Sequence, residues 1–201
     1  GLKDDWILKN LLKKYSPDII KIYILSTHYR SPLEFSNKKL TEASKALDRI
    51  INTLKNIDFL LKETGDKNGT SGNGVIEAAK LKEIVELAEK GFRKAMDDDF
   101  NSAGAIGGIF EMVKNINSII QNADFKISTP AVSELKTAYG KIVELCAVLG
   151  LDPEKGLDKG KGLGDSDSKE IQDLIHMRNQ ARKDRDFKKA DEIRDLFLLR
   201  G

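Results

Sequence analysis

Cysteine and histidine are scarce in this sequence. Its 201 residues include one cysteine, Cys146, and two histidines, His28 and His176. A single cysteine cannot form an internal disulfide, and so few sulfur and imidazole ligands predict no metal site in this chain. A reducing, cytoplasmic setting fits this composition best.

Long apolar runs and an excess of one charge are also missing. No stretch approaches the roughly 18 apolar residues that span a bilayer, and no secretory signal opens the chain, so we expect no membrane association. Lysine and arginine number 34 against 32 acidic residues, which leaves a formal net charge of +2. This balance excludes a uniformly basic coat for nucleic acid, although a local basic patch remains possible.

The two ends of the sequence look like internal positions of a longer protein. The first residue is Gly1 rather than methionine, and Gly201 directly follows a helical pattern. A chain of this length can bury one sizeable core, or one core and a small satellite domain. We expect the sequence to be a piece of a longer polypeptide.

Nearly every periodic stretch has the period of a helix, and none alternates convincingly like a strand. A short apolar stripe runs over residues 8–15. Ser16 and Pro17 form a helix start signal. Residues 19–25 are apolar nearly all round, which predicts a central, buried helix that Pro32 ends.

A strict leucine heptad follows, and it has two interpretations. The seven-residue spacing links Leu40, Leu47, Leu54 and Leu61, with Ala43, Ile50 and Ile57 between them. This period is typical of left-handed bundle packing. We favour packing within the chain over a coiled coil with a partner, because apolar stripes predict further helices over about 81–92, 106–120 and 129–149.

These patterns predict an all-α fold, an antiparallel helical bundle followed by a small helical hairpin. Residues 1–15 are expected to form a junction helix, and residues 16–150 the bundle. The glycine-rich residues 65–74 are expected to form a mobile loop, and residues 151–168 a flexible linker. Residues 169–201 are expected to form the hairpin, which is too short to be very stable alone.

None of these stretches has the pattern of an active site. Three aspartates at 97–99 invite a metal hypothesis, but adjacent side chains diverge. They precede a predicted helix that Asn101 or Ser102 can cap, so we favour a structural role. His28 has no carboxylate or cysteine at paired spacing, and Cys146 lies on an apolar stripe as a small core residue.

Three segments together resemble bacterial-type cysteinyl-tRNA synthetases. They are "KKYSPDIIKIYILSTHYRSPLEFS" (13–36), "AMDDDFNSAGAIGGIFEM" (95–112) and "IQDLIHMRNQARKDRDFKKADEIRD" (171–195). In that order they are similar to the segment after the family's catalytic domain, a motif of its bundle and its C-terminal anticodon-binding hairpin. One departure is Ala103, where the family usually has proline.

The resemblance implies the tRNA-handling C-terminal part of a cysteine–tRNA ligase, a class I synthetase. In that family a Rossmann-type domain activates cysteine with ATP, and a zinc ion selects the thiolate. In the family, the ATP-site motifs and the zinc ligands lie N-terminal to the segments that this chain resembles. No catalytic residue is therefore expected in this chain, and the isolated chain should not activate cysteine. The implied partner is tRNA(Cys), and the implied parent is a monomeric cytoplasmic enzyme.

The same resemblance implies three residues that read the anticodon: Arg182, Phe187 and Asp191. The family often has tryptophan at the position of Phe187, and one further acidic contact would fall after Gly201, so the hairpin is expected to be truncated. From the residues alone, a solvated helix with Phe187 in the hairpin's small core is favoured. The alternative is a stacking aromatic beside a guanidinium and a carboxylate, as single-stranded RNA requires.

Arg30 is the fourth candidate contact, because the resemblance places the bundle along the inner side of the tRNA. It is either a phosphate contact or a structural ion-pair partner. A different class of function also remains open, a helical module that binds a protein partner through the heptad face. Salt-sensitive tRNA binding favours the ligase interpretation, and salt-insensitive self-association without RNA affinity favours the interaction module.

Overall fold

A computed structural model of the chain describes residues 7–64, 75–122, 125 and 127–158. Every regular element within these ranges is a helix, so the predicted all-α class is confirmed there. None of these helices is long and apolar enough to cross a membrane. The seven helices are α1 (Leu8–Lys14), α2 (Pro17–Leu25), α3 (Asn37–Thr64), α4 (Val75–Asp97), α5 (Ser102–Ile120), α6 (Thr129–Val148) and α7 (Lys155–Asp158).

Several predictions fall outside the described residues. These are the mobile loop at 65–74, the linker from residue 159 onward and the hairpin at 169–201. The hairpin carries the predicted anticodon contacts Arg182, Phe187 and Asp191, which therefore stay predictions.

Helix α2 is shorter and more exposed than the sequence predicted. It ends at Leu25, well before Pro32. The Ser26 hydroxyl donates to the carbonyl oxygen of Ile22 at 2.6 Å, and the Ser26 backbone N–H donates to the same oxygen. The next backbone N–H, that of Thr27, donates to Ile24 only three positions earlier, so the helical pattern stops before the proline is reached. The side chain of Ile24 is 50% exposed, so α2 has one face in the core and one at the surface.

The leucine heptad packs inside the chain, as favoured from the sequence. Helix α3 lies against α2, α5 and α6. Six of its seven heptad positions are buried: Leu40, Ala43, Leu47, Ile50, Leu54 and Ile57. Burying this stripe removes apolar area from water, which is the main favourable term in holding the bundle together.

Helices α4, α5 and α6 form the other side of the bundle, with α4 packed against both neighbours. Only residues 98–101 separate α4 from α5, and so short a connection makes adjacent helices antiparallel. Their buried side chains recur at helical spacing: Leu81, Val85, Ala88 and Phe92 on α4, Ile106, Ile109, Val113 and Ile116 on α5, and Leu135, Ala138, Ile142 and Leu145 on α6.

A polar contact crosses the core between α3 and α5. The side-chain amide of Asn117 donates to the Thr53 hydroxyl oxygen at 2.6 Å, and that hydroxyl donates to the Arg49 carbonyl at 2.8 Å. Thr53 is fully buried. A hydrogen bond in such a low-dielectric setting is costly to break. This pair therefore helps to fix the register of α3 against α5.

The bundle continues a few residues past Gly150. Gly150 adopts a φ of +70° after α6, where a residue without a Cβ avoids strain, and this agrees with the predicted helix end. Leu151 is buried, and the backbone N–H of Asp152 donates to the Asp18 carboxylate at 3.3 Å. The compact unit extends to Lys155, so the structure places the first residues of the predicted 151–168 linker with the bundle.

Cys146 is a core residue, as predicted, and its thiol should be unreactive in the folded chain. Burial raises the pKa of its thiol to about 12. Because the thiolate is the reacting species, we expect a disulfide reagent at mildly alkaline pH to modify the native chain only as fast as it unfolds. The measurement is reagent absorbance with and without guanidinium. Equal rates in both conditions would contradict the buried placement.

Candidate functional site

One end of the bundle brings together two motifs that are far apart in the sequence. Residues 28–30 follow α2, and residues 97–101 include the link from α4 to α5. The Ser102 hydroxyl donates to the carbonyl oxygen of Leu25 at 2.9 Å, which holds the start of α5 against the end of α2. We call His28, Tyr29, Arg30, Asp99 and Phe100 the end cluster.

The aspartate run plays a structural role that differs in part from the prediction. Asp97 is the last residue of α4, and Asp98 and Asp99 follow it, so the three carboxylates lie at a helix C-terminus as well as before an N-terminus. Asn101 caps α5, because its side-chain oxygen accepts the backbone N–H of Gly104 at 2.8 Å. Ser102, the other predicted cap, uses its hydroxyl to bind α2 instead.

Asp99 and Phe100 both adopt a left-handed backbone, with φ of 53° and 51°. In the described part of the chain, no other residue except glycine has a positive φ of this kind. Such a conformation costs energy for a residue with a Cβ and persists only when the surroundings impose it. Here the Asn101 backbone N–H donates to the Ala95 carbonyl at 3.0 Å, which folds the chain back at the end of α4.

The carboxylate of Asp99 is the centre of the end cluster. The Tyr29 hydroxyl donates to Asp99 Oδ1 at 2.7 Å. The Arg30 guanidinium donates to the same oxygen at 3.3 Å, and Arg30 Nε lies 3.2 Å from Oδ2. Arg30 therefore has a partner for the ion-pair role considered from the sequence. Its side chain is nonetheless 69% exposed, so the guanidinium stays accessible.

Two aromatic rings and the guanidinium stack on the surface beside Asp99. The His28 and Tyr29 rings have centroids 4.8 Å apart and planes 25° apart. The guanidinium carbon of Arg30 lies 5.4 Å from the Tyr29 ring centroid. The hydrogen bond to Asp99 raises the pKa of the Tyr29 phenol above its ordinary value, so this hydroxyl remains a donor further into the alkaline range.

The groups of the end cluster are suited to binding a ligand. His28 gains a carboxylate neighbour that sequence reasoning did not find, but its Nε2 lies 3.9 Å from Asp99 Oδ2, too far for a hydrogen bond. Within the described ranges, no group of three or more histidine, cysteine, aspartate or glutamate side chains could hold a metal ion. The cluster offers planar groups, donors and an exposed phenyl ring, Phe100.

The sequence singled out Arg30 in this cluster but missed Asp99 as its partner and Phe100 altogether. Tyr29 and Asp99 are 70 positions apart, and no local pattern signals that they meet. The aspartate run had attracted attention only as a metal or capping candidate. The one available signal for Phe100 was an aromatic residue in a polar turn.

Comparison with known protein families assigns a domain to the second half of the bundle. Residues 91–152 match the model of the DALR domain. This range covers the C-terminal end of α4, the turn with Asp99 and Phe100, all of α5 and α6, and the extension past Gly150.

Relatives match over nearly the whole chain and are named cysteine–tRNA ligase. The protein from Geotalea uraniireducens is 38% identical over 98% of this chain and 42% of its own length. Those from Geobacter sulfurreducens and Syntrophotalea carbinolica are 34% and 35% identical over all of this chain and 41% of theirs. The chain thus spans about two-fifths of these relatives, at their C-terminal end.

Proposed function

Because the chain belongs to the cysteine–tRNA ligase family and matches the C-terminal part of its members, we propose that it is the tRNA-binding portion of such a ligase. The observation that carries this proposal is the match over at least 98% of the chain to proteins with this name. The DALR match and the all-helical bundle support it.

In this proposal the full-length parent joins cysteine to tRNA(Cys) with ATP, as a monomer in the cytoplasm. The chemistry that needs ATP and zinc belongs to the part of the parent that this chain does not match. The role of this chain is to hold the tRNA in position.

The proposal divides the binding task between two segments. The bundle contacts the tRNA body, chiefly its phosphates. The segment at 169–201 reads the anticodon, with Phe187 stacking on a base and with Arg182 and Asp191 pairing with base edges. The support for this division is the resemblance of residues 171–195 to the family's anticodon-binding hairpin.

Arg30 is proposed as one of the phosphate contacts of the bundle. Its ion pair with Asp99 lies at the surface, where the two side chains are 69% and 41% exposed. Exposed pairs are weak, because water and salt screen them, so a phosphate can compete with Asp99 for the guanidinium. Arginine also matches phosphate geometry with two parallel donors.

Binding of tRNA(Cys) transcript at a series of salt concentrations tests both the function and this contact. We expect the affinity of the wild-type chain to fall steeply with salt. Arg30→Ala should reduce the slope of log affinity against log salt concentration by about 0.9, the amount for one phosphate. It should weaken the binding of all tRNAs alike. The control is Lys62→Ala near the C-terminal end of α3, another exposed cation in an ion pair, which should leave the slope unchanged.

Other outcomes would count against the proposal. A change in selectivity among tRNAs with Arg30→Ala would mean that Arg30 reads a base and not a phosphate. Absence of RNA affinity together with salt-insensitive self-association would favour the protein-interaction module instead. The structure already weighs against that module, since the heptad face it would use is buried in the bundle.

A further inference from the structure

Two aromatic side chains of the end cluster are largely exposed. Tyr29 is 61% exposed and Phe100 69%. The Tyr29 hydroxyl donates to Asp99, the residue before Phe100, so both aromatic residues belong to the junction of α2 with the α4–α5 turn. Large exposed aromatic side chains at one junction are typical of a binding surface.

Phe100 contributes little to the stability of the fold. Glycine adopts positive φ at no steric cost, so it would suit this turn better than any residue with a Cβ. The phenyl ring, at 69% exposure, removes little apolar area from water. The left-handed turn therefore carries a strained aromatic residue whose side chain stabilises the fold very little. Strain retained in this way is typical of functional positions.

We propose that the end cluster is a stacking site for one unpaired nucleotide of the bound RNA, with Phe100 as the stacking ring. This rests on the proposed tRNA-binding function and names the chemistry of one contact within it. A base presents a flat aromatic face, which an exposed phenyl ring can cover whatever the base is. The adjacent stack of Tyr29 and Arg30 supplies a planar guanidinium for the nucleotide's phosphate.

The surrounding charge favours a single nucleotide over a duplex. The shallow surface beside the cluster, at the end of α4, is lined by the cations Lys90, Arg93 and Lys94 and the carboxylates Asp97 and Asp98. This mixture lacks the strong positive excess that binds a run of duplex phosphates. Stacking does not depend on such an excess, so an unpaired base is the ligand that these residues suit best.

Replacing Phe100 by leucine or by tryptophan tests the stacking role. Leucine keeps an apolar side chain but has no aromatic face, and tryptophan keeps the face. We expect Phe100→Leu to weaken tRNA binding by roughly 5- to 150-fold, the range for loss of one base–aromatic stack. Phe100→Trp should bind tRNA with about the affinity of the wild-type chain. The control is Phe59→Leu on α3, another half-exposed phenylalanine, which should not change the affinity.

Two further measurements separate binding from folding. Phe100→Gly should raise the urea midpoint of unfolding, because it relieves the strained backbone, and yet weaken tRNA binding like Phe100→Leu. With Trp6 replaced by phenylalanine, Phe100→Trp leaves one indole, at position 100. Its fluorescence should be quenched when tRNA binds, as direct stacking on a base requires.

The possible outcomes are distinct. If wild-type chain binds tRNA and Phe100→Leu binds equally well, the stacking site is wrong and the proposed function stands. If Phe100→Leu leaves tRNA affinity intact but weakens association with the rest of the parent protein, the cluster is a protein contact and the inference is overturned. If wild-type chain binds no tRNA, the proposed function fails and this inference fails with it.

Discussion

If Arg182 reads the anticodon as proposed, replacing it by alanine in the proposed full-length ligase should reduce the preference for the cysteine anticodon by about 1–3 kcal/mol. A guanidinium that donates two hydrogen bonds to one base edge distinguishes that base from the others, so its loss lowers charging of cognate tRNA selectively. Asp191→Ala should act in the same direction, because a carboxylate accepts from a base amino group. The measurement is kcat/KM for tRNAs with cognate and mutated anticodons.

Phe187→Ala should behave differently from these two changes. Stacking is tolerant of base identity, so its loss should lower the efficiency of cognate and mutated tRNAs together, by about 1–3 kcal/mol. Arg178→Ala is the matched control, a neighbouring arginine that the family resemblance does not place on the anticodon. It should leave the preference unchanged. If Arg182→Ala and Asp191→Ala lower both substrates equally, these residues do not read the anticodon.

The second large effect concerns the core of the bundle. Leu54 is fully buried on α3, which packs against α2, α5 and α6. Leu54→Ala removes apolar area and leaves a cavity, so the free energy of unfolding should fall by about 2–5 kcal/mol. Leu87→Ala on α4 is the matched control, because that leucine is 59% exposed, and its cost should stay within about 0.5 kcal/mol.

Urea denaturation followed by helical circular dichroism measures both variants. The same experiment tests the two interpretations of the heptad. Packing within the chain predicts a loss of stability that does not depend on protein concentration. If Leu54→Ala left the chain equally stable and abolished self-association, the heptad would be a seam between molecules, and the interaction module would regain support.

The sequence predicted a helix boundary correctly where residues close together in the sequence set that boundary. The apolar stripe predicted a helix over 129–149, and α6 runs from Thr129 to Val148. The structure adds a cap from Ser128, whose hydroxyl accepts the Ala131 backbone N–H at 3.3 Å. The chain turns directly after this helix at Gly150, since glycine tolerates positive φ. The end of α2 was missed, because no residue just after Leu25 gives a signal as clear as Pro32.

The end cluster shows the limit of such patterns. Its hydrogen bonds join Tyr29 and Arg30 to Asp99, 69 or 70 positions later. Whether these side chains meet depends on how α2 lies against α5, which is settled by core packing and by the bond from Ser102 to Leu25. The boundary after Gly150 was misjudged for a related reason, because Asp18, on a distant helix, accepts the hydrogen bond that holds Asp152.

The sequence by itself determined the helical class, the core stripe of each main helix and the family. The apolar period and the order of the motifs can be followed along the chain without knowing what each helix packs against. The tertiary structure alone decided that Arg30 has a carboxylate partner, that Asn101 rather than Ser102 caps α5, and that Phe100 stands exposed in a left-handed turn. Each of these depends on how elements that are distant in the sequence pack together, and no local pattern contains that information.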